Sequence, residues 1–274
     1  MPEGPEIRRA ADRIAQVLVG RKIVDATFAF PALRRFEKSM IGSAVTAVDT
    51  RGKAMLTRFD NGLTLYSHNQ LYGRWHTAAR DKLPDTTRSL RVALHTETHS
   101  ALLYSASDVA VLTAKQLERH PFLARIGPDI LDDTLTAAAV AERLDEKRFR
   151  RRSLGALYLD QSFLAGIGNY LRSEILHTAR LHPGQRPLDL DARALRRLAR
   201  ETLRISRRSY ATRGVTVTRS QARALRAAGL KYADYRFWVF GRDGLPCHTC
   251  GATIQRMAVG SRGLFYCPGC QRLP

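Results

Sequence analysis

A chain of 274 residues is long enough to bury a sizeable core, and its length favours two domains with a small appendage over one compact unit. Its 45 Lys and Arg against 25 Asp and Glu leave a formal net charge of +20, which calls for a polyanionic partner. Nucleic acid comes first, because counterions released from phosphates drive binding. No stretch is long and apolar enough to span a bilayer and no apolar leader precedes the first helical pattern, so a membrane protein is excluded and a cytoplasmic one expected.

Ile7, Ala10, Ala11, Ile14, Val17 and Leu18 recur at helical spacing, with Pro5 and Glu6 suited to a first turn and Gly20 to a stop. From Ile41 to about Thr113 short runs, VTAV, AMLTRF, LTLYS, RVALHT and ALLYS, read as strands, and Asn61-Gly62 marks a hairpin between two of them. Beyond Arg125–Asp129 the pattern turns helical, which sets a boundary near residue 130.

The stretch LDQSFLAGIGNYLRSEIL, Leu159 to Leu176, reads as two apolar helical segments interrupted at Ala165–Asn169. Glycines there permit a tight turn, and the helix N-terminus that follows offers free N–H groups to a phosphate. Leu195, Leu198, Ala199, Thr202 and Ile205 then line one side of an arginine-crowded helix. From Gly214 to about Lys231 no period is clear, which predicts a mobile basic loop; RFWVF, TIQRMAV and LFY read as strands of a small terminal module.

Cys247, Cys250, Cys267 and Cys270 are all the cysteines of the chain, in the pattern C-x2-C-x16-C-x2-C. Two such knuckles supply four thiolates tetrahedrally to one zinc ion. Two disulfides are the alternative, and they fit poorly with a chain that has a large core and no export signal. The zinc is expected to be structural, because the hairpin is too small to bury a core. Arg262, on the turn VGSRG between the knuckles, is expected at the hairpin tip, within reach of a phosphate.

Taken in order, PEGPEIRRA, TRGKAML around Lys53, LYSHNQLYG from Leu65 to Gly73, HPFLARIGPD, DQSFLAGIGNYLRSEIL and the four-cysteine finger resemble the formamidopyrimidine-DNA glycosylase and endonuclease VIII family, in particular its endonuclease VIII branch. The resemblance implies an α+β multidomain fold. An N-terminal helix plus antiparallel β-sandwich (1–128) precedes a helical domain with a helix-two-turns-helix motif (129–215), the basic loop (216–237) and the zinc-finger hairpin (238–272). It also implies a monomeric, bifunctional glycosylase and abasic-site lyase of base excision repair, acting on double-stranded DNA that carries oxidised bases, chiefly pyrimidines, or abasic sites.

By the same resemblance Pro2, freed by removal of Met1, is the nucleophile, and Glu3 the acid and base. Lys53 is a catalytic or phosphate-binding lysine, and Arg262 assists δ-elimination as proton donor or phosphate clamp. Gln70, Leu71 and Tyr72 match the triplet that fills the void left by a flipped nucleotide, and Arg125 and Asn169 match DNA-contacting positions. A purine-preferring glycosylase and a non-catalytic zinc-ribbon DNA-binding protein are the competing readings.

Overall fold

A computed structural model describes residues 2–273, and the chain divides into two compact units, Met1–Arg125 and Ile126–Pro274. The first begins with α1 (Gly4–Leu18), whose Ile7, Ala10, Ala11, Ile14 and Leu18 are buried as the spacing demands; Gly20 then takes φ +76°, which favours glycine. There follow β1 (Asp25–Phe28), two single-turn helices α2 (Pro31–Arg34) and α3 (Glu37–Met40), and seven strands: β2 (Val45–Arg51), β3 (Ala54–Phe59), β4 (Leu63–His68), β5 (Arg74–Ala79), β6 (Leu90–His95), β7 (His99–Tyr104) and β8 (Asp108–Thr113). Short α4 (Ala114–Glu118) closes the unit, capped by Thr113.

The strands form two antiparallel four-stranded sheets, in the orders β1-β6-β7-β5 and β2-β3-β4-β8. Alternation along a strand sorts its side chains. Met55 and Phe59 of β3 join one core with Leu65, Trp75, Val92, Leu94, Leu103 and the buried side of α1, while Ala54 and Leu56 join Tyr66 beneath α4. The β3–β4 connection carries Asn61-Gly62 as anticipated: Gly62 has φ +80° and Asn61 Oδ1 accepts from Leu63 N at 3.0 Å. β1 lies outside the strand-like region anticipated from sequence.

The second unit holds α5 (Ala137–Asp145), α6 (Leu154–Leu157), α7 (Asn169–Thr178), the arginine-rich α8 (Ala192–Ala211), α9 (Arg219–Ala227), α10 (Tyr232–Tyr235) and the hairpin β9 (Gln255–Val259) and β10 (Arg262–Tyr266). Its core gathers Leu144, Phe149, Tyr158, Phe163, Leu171, Ile175, Leu198 and Ile205, with Leu264 of β10 joining from the hairpin.

Three sequence expectations need correction here. LDQSFL is a series of turns rather than a helix, because polar side chains take over its backbone. Asp160 Oδ1 accepts from Ser162 N at 2.8 Å, Gln161 Oε1 accepts from Gly166 N at 3.1 Å, and Arg143 donates to the carbonyls of Ser162 and Phe163, each at 2.6 Å. The segment 216–237, expected as a loop, contains α9 and α10; Thr218 caps α9 by accepting from Gln221 N at 3.2 Å. RFWVF is not a strand, since the N–H groups of Trp238, Val239 and Phe240 all donate to the carboxylate of Glu174, at 2.8 to 2.9 Å. Among the described residues no helix is long and apolar enough to cross a membrane.

Candidate functional site

In the first unit Pro2 opens onto a cavity of about 290 Å³ lined also by Glu6, Asn69, Leu71, Tyr72 and Trp75, with Arg13, Arg74 and Arg88 on its rim. Met1, whose removal bears on the Pro2 amine, lies outside the described residues. Glu3 is the N-cap of α1 and is buried; its N–H donates to Glu6 Oε2 at 3.1 Å, and Arg9 pairs with Glu6 Oε1 at 2.8 Å. The helix start thereby fixes the backbone on which Pro2 and Glu3 sit.

The loop from Asn69 to Gly73 faces Pro2 across that cavity. Gln70 is in the left-handed region at φ 49°, held by its N–H to His68 Nδ1 (3.1 Å) and by Nε2 to Asp108 Oδ2 (3.4 Å). Gly73 N closes the loop on Asn69 O at 2.7 Å, and a Cβ on Gly73 would stand 2.6 Å from that same oxygen, so only glycine fits. Arg88 Nη1 holds the Tyr72 carbonyl at 2.9 Å. Leu71 and Tyr72 are left projecting, 61% and 72% exposed, on a backbone pinned from three sides.

Lys53 sits with Gly52 in the two-residue turn between Arg51 and Ala54, where Gly52 takes φ 62°. It is buried, and Ala54 pairs with His68, so the lysine lies beside the end of β4 from which the loop departs. Burial holds the His68 pKa below its usual 6.5, opposed by Asp108 and reinforced by the charge of Lys53. A neutral His68 is the form that accepts the Gln70 N–H.

In the second unit Gly166 (φ +100°) makes the turn into α7, and Asn169 is the first residue of that helix. Its Nδ2 donates to Gly263 O at 2.9 Å, while its Oδ1 accepts from Arg172 Nη2 at 2.7 Å. Arg172 is wholly buried and also donates to Gly155 O at 2.8 Å. Asn169 and Arg262 are thus brought together, because Gly263 follows Arg262 in β10. Arg262 pairs with Val259, so the tip itself is Gly260-Ser261 and the arginine stands directly after it. Arg125 ends the first unit, with its Nε on Pro121 O at 2.8 Å.

The four cysteine Sγ atoms lie within 4.8 Å of one another, with Cys247 to Cys270 at 3.9 Å and Cys250 to Cys267 at 3.4 Å. Thiolates about 2.3 Å from a tetrahedral zinc stand about 3.8 Å apart, so the cluster fits that ion. Gln271 ties the second knuckle to the unit, accepting from Cys267 N and donating to Leu181 O, both at 2.9 Å.

Several of these residues escape sequence reasoning. Arg13, Arg74 and Arg88 converge from α1, β5 and the segment before β6, and nothing local distinguishes them from other arginines. Glu174 reads as an ordinary helical glutamate, yet it is fully buried and accepts Thr216 Oγ1 as well as three backbone N–H groups; burial pushes its pKa up against those four donors.

Residues 1–108 match the formamidopyrimidine-DNA glycosylase N-terminal domain, 126–221 its H2TH domain, and 244–273 the zinc finger found in FPG and IleRS. Endonuclease 8 of Escherichia coli (strain K12 / DH10B) and that of Shigella sonnei (strain Ss046) are each 51% identical over 271 residues, covering 99% of this chain and all of the relative. Among solved structures, Lactococcus lactis formamidopyrimidine-DNA glycosylase bound to abasic-site DNA superposes with a TM-score of 0.80 at 20% identity, covering 99% of this chain and all of that one. MutM with DNA containing carbocyclic 8-oxoguanine does so with 0.80 at 21%, at the same coverage. These likenesses carry the fold, and the identity to the endonuclease 8 proteins carries the kinship: the chain belongs to the formamidopyrimidine-DNA glycosylase and endonuclease VIII family.

Proposed function

We propose that Pro2, Glu3 and the loop Gln70-Leu71-Tyr72 form the reaction centre of a glycosylase that removes oxidised pyrimidines from duplex DNA. The chain is a bifunctional DNA glycosylase and abasic-site lyase of base excision repair. The observation that carries the residue assignment is the cavity in which Pro2 meets two projecting apolar side chains on a pinned loop.

A base stacked in a duplex is out of reach, so the nucleotide must be flipped out and the gap filled. Leu71 wedges into the stack, with Gln70 and Tyr72 on either side. With Met1 removed, Pro2 offers a secondary amine whose reference pKa near 8 leaves a useful fraction unprotonated, where a lysine near 10.4 would leave very little. The nitrogen attacks C1′, the base departs with a proton, and an iminium ion forms as Glu3 protonates the ring oxygen. Loss of a C2′ proton expels the 3′ phosphate and a second elimination expels the 5′ phosphate, after which water releases Pro2.

Lys53, desolvated and adjacent to the loop, serves as a phosphate-binding or catalytic cation. Arg262 clamps the departing phosphate; a guanidinium holds its proton too tightly to be a good proton donor. Asn169 and Arg125 hold DNA phosphates, the four cysteines bind one structural zinc per chain, and the protein works as a monomer.

Incubation with a duplex carrying 5,6-dihydrouracil followed by borohydride tests this directly. A covalent adduct that Pro2→Gly abolishes is expected. Absence of any adduct on dihydrouracil and on a plain abasic site would overturn the assignment, and a stronger adduct on 8-oxoguanine would move the preference to purines.

A further inference from the structure

The segment from Thr212 to Tyr235 walls an open groove of about 1060 Å³ whose lining contains no acidic residue. One wall is α9, which presents Arg219, Ala222, Arg223, Arg226 and Ala227 to the groove at helical spacing. Opposite stand Arg213 and the tyrosines Tyr232 and Tyr235, with Tyr232 fixed by its hydroxyl donating to Arg213 O at 2.6 Å.

No residue of α9 is fully buried: its arginines gather on the exposed groove side, and Gln221, Ala222 and Leu225 are only half-buried. Its ends are capped by Thr218 at the start and at the close by Gly229 at φ +84°, with Gly229 N on Arg226 O and Leu230 N on Leu225 O. Nine residues with no fully buried side chain form a marginal helix, and like charges at i,i+4 (Arg219, Arg223) and i,i+3 (Arg223, Arg226) oppose it further. No ion pair among the described residues engages the arginines of this face.

We propose that this groove is a binding site for the phosphodiester backbone of a DNA strand, and that the strand supplies the counter-charge that α9 lacks. The inference rests on the DNA-repair reading above and adds a contact region to it. Arg219 to Arg226 spans about 10 Å of helix axis, too far for one small anion to bridge. A DNA strand rises about 3.4 Å per nucleotide, so two or three successive phosphates can meet the three guanidinium groups. The alanines leave room for that approach, and guanidinium forks suit phosphate oxygens.

The test uses the full-length, zinc-loaded protein and a short duplex bearing an uncleavable tetrahydrofuran abasic analogue, with affinity measured over a range of salt. For the triple variant R219Q/R223Q/R226Q the slope of log K against log salt should become shallower by about 2 to 3, since each phosphate contact contributes about 0.9. The triple lysine variant should keep the parental slope, because it keeps the charge. Amides of residues 222–228 in the parent should exchange more slowly once DNA is bound.

An unchanged slope in a folded glutamine variant overturns the proposal and leaves the groove to some other partner, such as an acidic protein segment. Should that variant not fold, unaltered exchange at residues 222–228 in the parent overturns it equally. Failure of the parent to bind the duplex at all would instead bring down the function reading, and this one with it.

Discussion

Replacing Leu71 by alanine isolates the wedge from the rest of the machinery. The side chain is 61% exposed on a loop whose shape depends on Gln70, Gly73 and the Tyr72 carbonyl, none of which the change touches. Stability should therefore stay within about 0.5 kcal/mol of the parent. Three carbons are lost, at about 0.8 kcal/mol for each one buried. With roughly three-fifths of the side chain still to be buried on insertion, the flipped complex loses about 1.5 kcal/mol, or about tenfold in kcat/KM. The assay compares dihydrouracil in a duplex with the same lesion in a single strand, where no stack needs filling. The duplex rate should fall about tenfold while the single-strand rate hardly moves. Equal losses on both substrates, or a melting temperature lowered by several degrees, would show that Leu71 supports the loop and not the DNA, and the wedge argument would be refuted.

Glu174→Ala strands three buried backbone N–H groups, while the Thr216 hydroxyl keeps the Arg236 carbonyl as acceptor at 3.1 Å, and should cost about 3 kcal/mol or more in urea unfolding; a loss under about 1 kcal/mol would mean that water replaces the carboxylate. Because the folded-state pKa of His68 lies below 6.5, the native state binds fewer protons than the unfolded one just under that pH. Its contribution to stability is present above pH 6.5 and is lost as pH falls toward the folded pKa, with Nδ1 then unable to accept from Gln70. The parent should lose more stability between pH 7 and pH 5 than His68→Asn does, a comparison made by thermal melts. Removing zinc with a chelator should expose four titratable thiols and abolish DNA binding, and retained affinity would count against an anchoring role for the finger.

What could be read in the sequence was what has a period or a spacing. Helix α1, the Asn61-Gly62 turn and the cysteine quartet each announce themselves within a few residues. Helix α9 did not, because its half-buried side, Gln221, Ala222 and Leu225, holds a single large apolar residue and marks no period; its signals were the cap at Thr218 and the stop at Gly229, which are short and easily missed. RFWVF looked like a strand because aromatic and β-branched residues favour one, but the long-range partner of its backbone, Glu174, lies some sixty residues away. The turns of LDQSFL were hidden for a related reason: Asp160 and Gln161 compete with the backbone for its own hydrogen bonds. The cavity around Pro2 depends on arginines from three separate elements, and only the fold assembles them.

Lys53 and Arg262 are delivered in a similar way, the first within and the second just after a two-residue turn that opens with glycine at positive φ. Such turns tie chain length to orientation: one inserted residue in either would exchange the inner and outer faces of the strand that follows. Drift by insertion, the easiest change for most surface connections, is therefore closed to these two, while the side chain of Ser261 is free to vary. A library that randomises Ser261 at constant length should yield many folded members, and one that varies the length of either turn should yield very few.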